Sequence, residues 1–111
     1  MVNTKWEITG VRHIKSHSRK GDIAELKAVT FLLEKGYEVF RNYGCDGPVD
    51  IVAIDKENNV SLIDVKTLVG NYATKQRTSK QKKLGVKILG YNPETKNIKF
   101  VNHRGDCNEV H

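Results

Sequence analysis

The feature that most constrains this chain is a pair of apolar runs, each carrying a single acid and joined by a short polar turn. The first is Val49-Asp50-Ile51-Val52-Ala53-Ile54. Asp55-Lys56-Glu57-Asn58-Asn59 is the turn, and Val60 to Thr67 is the second run, with Asp64 among Leu62, Ile63 and Val65. Apolar, β-branched runs of this length between turn residues read as the strands of a hairpin. Strand interiors are depleted in Asp, and a buried carboxylate without a partner is costly. Side chains alternate along a strand, so Asp64 and Lys66 share a face. An Asp50 turned the same way brings two carboxylates and an ammonium together. A divalent cation removes the repulsion between the carboxylates, and hard oxygen ligands suit Mg²⁺ or Mn²⁺. A bound Mg²⁺ positions a water and stabilises charge on a phosphodiester; Lys66 would orient that water or offset charge on the phosphoryl oxygens. The alternative is a solvated hairpin, with both acids facing water and Lys66 as a surface partner.

The rest of the chain supplies a frame for that hairpin. Ala24, Ala28, Phe31 and Leu32, widened by Leu26, Val29 and Leu33, form an apolar stripe at helical spacing. The spacing predicts a helix from Gly21-Asp22 to about Lys35, with Asp22 as N-cap and Gly36 as the C-terminal stop. Tyr37 to Arg41 reads as a strand and Asn42 to Pro48 as a loop. Leu68 to Lys75 reads as a second loop, carrying Gly70, and Thr78 to Leu84 as a short helix stopped by Gly85. Val86 to Tyr91 and Ile98 to Val101 read as two more strands, joined by the turn Asn92 to Asn97. Helix, three strands, helix, two strands predicts an α/β chain with a mixed five-stranded sheet flanked by helices. Its 111 residues suffice for one core. The organisation expected is a basic N-terminal arm over 1–20, a single domain over 21–103 and a polar tail over 104–111.

Nineteen Lys and Arg against thirteen Asp and Glu leave a net charge of +6. For a small basic domain the first candidate partner is nucleic acid. No acid occurs between Val65 and Pro93, a stretch that carries Lys66, Lys75, Arg77, Lys80, Lys82, Lys83 and Lys87. A solvated face mixes both signs, so this asymmetry points to phosphate contacts. Lys75, Arg77, Lys80, Lys82 and Lys83 are the candidates there, and Arg12, Lys15, Arg19 and Lys20 form a second basic group. Nothing resembles a helix-turn-helix or a zinc finger, so strong base readout is not expected. Cys45 and Cys107 stand alone, which argues against a thiolate zinc site or a disulfide framework. No run of about 18 apolar residues exists to span a membrane. Met1 to Trp6 lacks the apolar stretch of a secretory signal, and a cytoplasmic, intracellular location is the expectation.

Glu25 is the third acid of interest. It stands three, four and seven residues before Ala28, Val29 and Leu32 and so borders the buried stripe. It either points at the same cation or closes a capping box begun by Asp22. Taken together, Pro48-Val49-Asp50, thirteen intervening residues and Asp64-Val65-Lys66 resemble the PD-(D/E)XK nuclease signature. Arg19-Lys20-Gly21-Asp22-Ile23-Ala24-Glu25, followed by Leu33-Glu34-Lys35-Gly36-Tyr37-Glu38-Val39, is similar to the helix and first strand of archaeal-type Holliday junction resolvases. It also looks like endonucleases associated with group I introns and small phage nucleases of the same superfamily. The resemblance covers roughly Arg19 to Val101. It implies a restriction-endonuclease-like fold and Mg²⁺-dependent cleavage of DNA, with Mn²⁺ as a substitute. It implies that Glu25, Asp50, Asp64 and the Val65 carbonyl hold metal and that Lys66 is the catalytic lysine. Gln81 matches a polar residue that approaches the site from the following helix. Two departures stand out: Val49 separates Pro48 from Asp50, and the second acid is Asp64 where Glu is commoner. The expected function is a branched-DNA or junction endonuclease acting as a homodimer, since two coordinated cuts need two sites. The rivals are a sequence-specific homing or restriction-type endonuclease on duplex DNA, and an inactive DNA-binding module of the same fold.

Overall fold

The computed structural model describes residues 16–44, 46–73 and 75–101. Among them are two helices and six strands: α1 (Ser16–Glu34), β1 (Glu38–Arg41), β2 (Ile51–Ile54), β3 (Val60–Val69), β4 (Tyr72–Ala73), α2 (Ser79–Leu84), β5 (Lys87–Tyr91) and β6 (Ile98–Phe100). The sheet runs β1-β2-β3-β5-β6, with the two-residue β4 hydrogen-bonded to the end of β3. All of these pairings are antiparallel except β3 with β5. The mixed α/β class read from the sequence is therefore the observed one. The strand count differs: β3 continues to Val69, past the expected loop boundary at Leu68, and turns through Gly70 into β4. Gly70 takes φ +63, a left-handed conformation that costs glycine little.

The first helix also starts earlier than expected. It passes straight through Gly21 and Asp22, so Asp22 is not its N-cap. A glycine inside a helix costs only about 1 kcal/mol, and the stripe beyond it outweighs that. Ala24, Ala28 and Leu32 are buried on this stripe, and Ala28 and Leu32 meet Ile51, Ala53, Ile63 and Leu89 of the sheet. Val65 packs against the same cluster. Alternation along β3 then assigns Asp64, Lys66 and Leu68 to the opposite face, where α2 lies.

On that opposite face the parallel pair β3–β5 places Lys66 beside Gly90. A Cβ at Gly90 would stand 2.4 Å from Leu68 Cδ2 and 2.6 Å from Leu68 Cγ. Leu68 is itself buried. Gly90→Ala is therefore expected to destabilise the fold by about 1–3 kcal/mol through overpacking, read as a lower denaturation midpoint in urea. Among the described residues no helix is long and apolar enough to cross a membrane.

Candidate functional site

The β2–β3 ladder ends at the pair Ile51–Ile63. Asp50 stands just outside it, not within the strand as its apolar surroundings suggest. Its main chain is nevertheless clamped from both sides. Its N–H donates to the Ile63 carbonyl at 2.9 Å, and its carbonyl accepts from the Asn42 N–H at 2.8 Å. The carboxylate bends toward β3, where Asp50 Oδ2 accepts from the Val65 N–H at 2.9 Å. The N–H and C=O of one residue in an extended strand point to the same edge. The Val65 carbonyl therefore lies on the edge that β2 has vacated, beside Asp50.

Asp64 is only 6% exposed. Its Oδ2 accepts from Gln81 Nε2 at 3.0 Å and faces Lys66 Nζ at 3.0 Å. The expectation that Asp64 and Lys66 share a face with Asp50 beside them describes this geometry. The Asp50 carboxyl is pushed up to about 6. Burial is the main cause, followed by its hydrogen bond with Asp64; the Val65 N–H opposes the rise, and the charges of Asp64 and Glu25 add to it.

Gln81 binds the helix, the loop and the acid into one unit. The Thr78 hydroxyl accepts from the Gln81 N–H, and Gln81 Oε1 accepts from the Thr78 N–H, completing a capping box. The other end, Nε2, donates to both the Pro48 carbonyl at 2.9 Å and Asp64 at 3.0 Å. Both amide protons and the amide oxygen are used, so the orientation of the amide is fixed by its partners. Gln81 is 5% exposed. Gln81→Ala is expected to cost roughly 2–3 kcal/mol, because it strips a cap and leaves buried Asp64 short of a donor. Gln81→Glu should cost at least as much, since it sets a carboxylate against Asp64; the check is the unfolding free energy of both variants.

Glu25 lies in the third turn of α1, which removes the capping-box reading for it. It is close enough for its charge to raise Asp50, and it accepts from Arg41 Nη2 at 2.6 Å. Arg41 is the residue that sequence reasoning missed. It looks like an ordinary outward residue at a strand end, and no local spacing links it to Glu25, sixteen positions earlier. Among the described residues no three His, Cys, Asp or Glu side chains group as a ready-made metal cluster. What exists is a contacting pair of carboxyls, a third acid tied to a guanidinium and one adjacent strand-edge carbonyl. These are hard oxygen donors, and the charges of Asp64 and Glu25 both help to push the Asp50 carboxyl up. That chemistry fits a hard divalent cation.

The basic candidates fall into three groups. Arg19 and Lys20 are exposed on the first turns of α1, and Lys75, Lys80 and Lys83 are exposed on and before α2. Lys82 is half-buried, and Arg77 is half-buried with Nη1 donating to the Val86 carbonyl at 2.9 Å, so Arg77 ties the loop to β5. Arg12, Lys15, Cys45 and Cys107 lie outside the described residues.

No family model matches the sequence. Over 57 residues the chain is 37% identical to a UPF0102 protein of Trichlorobacter lovleyi, a match that covers 48% of this chain and 43% of that relative. The chain thus matches less than half the length of this curated relative. Among solved structures, a bacterial homing endonuclease superposes with a TM-score of 0.59 at 24% identity, over 80% of this chain and 66% of that one. At this identity the likeness is one of architecture: the chain has the fold of a bacterial homing endonuclease.

Proposed function

We propose that the chain is a DNA endonuclease that hydrolyses phosphodiester bonds with Mg²⁺, or Mn²⁺ in its place, and that it acts on branched DNA in the cytoplasm as a homodimer. The observation that carries this reading is Asp50 reaching β3, where its Oδ2 accepts from the Val65 N–H at 2.9 Å between Asp64 and Lys66, with Lys66 Nζ 3.0 Å from Asp64. Asp50, Asp64 and the Val65 carbonyl would hold the cation, and Glu25 would join them once Arg41 turns away. When bound, the ion supplies Lewis-acid stabilisation of the phosphoryl oxygens. Lys66 orients the attacking water or offsets phosphoryl charge from its place beside Asp64. Gln81 positions Asp64 through the bond from its Nε2. The exposed lysines before and on α2, and the basic residues at and before the start of α1, would track the phosphate backbone. This assigns 1–20 as a basic arm whose end enters α1, 21–103 as the nuclease domain and 104–111 as a tail. Dimerisation is supported by apolar side chains left open on the sheet face away from α1. Phe40, 51% exposed, pairs with Val52, and Val52 pairs with Leu62.

The fold shared with a homing endonuclease favours a second reading, sequence-specific cutting of duplex DNA. One assay separates the two. A labelled four-way junction, a matched duplex and single-stranded DNA are incubated with wild type and Asp64→Ala in Mg²⁺, Mn²⁺ and EDTA. Paired metal-dependent nicks on the junction, absent in the variant, support the junction enzyme. Cutting of duplex at a defined position supports the second reading. Binding without cutting in any metal makes the chain a DNA-binding module and ends the metal-site assignment.

A further inference from the structure

Beyond the acid site, a cavity of about 110 Å³ opens between α1 and the ends of the parallel strands β3 and β5. It is lined by Lys20, Ile23, Thr67, Tyr91, Pro93 and Lys96. Its volume is well above the ~15 Å³ that accommodates a single water. Two lysines and no acid line it. Lys20 continues the helix stripe of Ala24, Ala28 and Leu32 one step further, so it stands over the sheet end. Thr67 and Tyr91 are register partners on the same face of the parallel pair. Lys96 projects from a turn fixed by buried Asn92, whose Oδ1 accepts from the Glu94 N–H and whose Nδ2 donates to the Gly70 carbonyl. Lys96 takes φ +67 in this turn.

Tyr91 turns this cavity from a basic dent into a built site. It is 3% exposed, and its hydroxyl has no hydrogen-bond partner among the described residues. A buried hydroxyl normally finds a partner; here a buried tyrosine without one lines a cavity that two lysines also line. The matching ligand is an oxyanion, which accepts from Tyr91 and Thr67 while offsetting Lys20 and Lys96.

We infer that the cavity is a phosphate subsite that seats a DNA backbone phosphate away from the acid site, on the α1 face of the sheet. The inference rests on the nucleic-acid reading above, but its test does not depend on cleavage. Binding of the full chain to a fluorescent duplex and a four-way junction is measured without divalent metal, across a salt series. Each lost phosphate contact reduces the slope of log K against log salt by about 0.9. Lys20→Ala/Lys96→Ala empties the one phosphate contact and should therefore flatten the slope by about 0.9. Tyr91→Phe should leave the slope unchanged, because it removes no charge, and weaken binding about tenfold at fixed salt. It should also leave the thermal midpoint unchanged or raised, because the free protein loses no bond. An unchanged slope in the double variant overturns the subsite. So does a Tyr91→Phe protein that loses stability while keeping its affinity, since the phenol would then serve an internal partner. A parallel titration with inorganic phosphate follows the Tyr91 ring signal by NMR. A response to phosphate combined with normal DNA binding by both variants makes the site one for free phosphate and overturns the DNA assignment. A chain that binds DNA with these signatures yet cuts nothing keeps the subsite and loses the nuclease.

Discussion

Asp64→Asn is expected to lower metal-dependent cleavage by roughly 10³-fold or more, the scale of losing a group that acts on the reacting charge, while the chain stays folded. The asparagine keeps the shape of the side chain and can still accept from Gln81, whose two donors now go to Pro48 and Asp64. What disappears is the charge. Lys66 then loses its partner at 3.0 Å, and the shared oxygen set loses one of its two anionic members. The same substitution has a second consequence that a merely structural role would not produce. Asp50 sits near 6 because of burial first and Asp64 second, through both its hydrogen bond and its charge. With Asp64 neutral, the Asp50 carboxyl should titrate clearly below 6, followed by the carboxyl carbon shift. Loss of cleavage with an Asp50 midpoint still near 6 would mean that burial alone holds the proton and that the two acids do not act as a pair.

The centre of this arrangement was legible because its signals are local. Period-two alternation puts Asp64 and Lys66 on one face, and one acid in each apolar run joined by a five-residue turn makes Asp50 their candidate neighbour, with a solvated hairpin as the alternative. The short helix was equally legible, since Gly85 marks its stop and takes the left-handed conformation expected there. Its role at the site was not. The bonds from Gln81 to Asp64 and Pro48 span 17 and 33 positions, and only the tertiary fold creates them. Arg41 was illegible for the same reason. An exposed arginine at a strand end carries no mark of the glutamate it meets across α1 and β1.

Element ends failed where two local rules competed. Gly21-Asp22 looks like a helix start, yet the helix runs through it from Ser16, because one interior glycine is a small cost against a long buried stripe. Asp50 looks like a strand residue, yet β2 begins one position later; its main chain bonds Asn42 and Ile63 while its side chain leaves the ladder for Val65. The loop after Thr67 contains a two-residue strand too short to show any period. Arg77, read as a phosphate contact, is half-buried on the Val86 carbonyl, a pairing nine residues apart that no charge count reveals.

Cleavage at metal concentrations well below saturation is expected to fall about tenfold for each pH unit below about 6, the value to which the Asp50 carboxyl is raised. A protonated Asp50 offers one hard anionic oxygen fewer, so metal binding must release that proton and weakens as pH falls. Saturating metal should displace the break to lower pH, because the ion competes with the proton for the same oxygens. Metal-free stability should move the opposite way. A carboxyl raised from 3.8 to about 6 on folding binds a proton in the native chain that the unfolded chain has released. Its contribution is fully present below about 4 and is lost as pH rises through 6. Asp50 is only partly buried, so after solvent screening the loss should be about 1 kcal/mol rather than the full equivalent of the shift. Asp50→Asn should erase the step, leave the protein more stable than wild type above pH 6 in EDTA, and cut nothing. Single-turnover rates and urea midpoints across pH 4–8 test both halves. A rate independent of pH over this range, or a wild-type stability that rises between pH 4 and 6 where the variant's does not, would show that Asp50 is not the group that trades a proton for the metal.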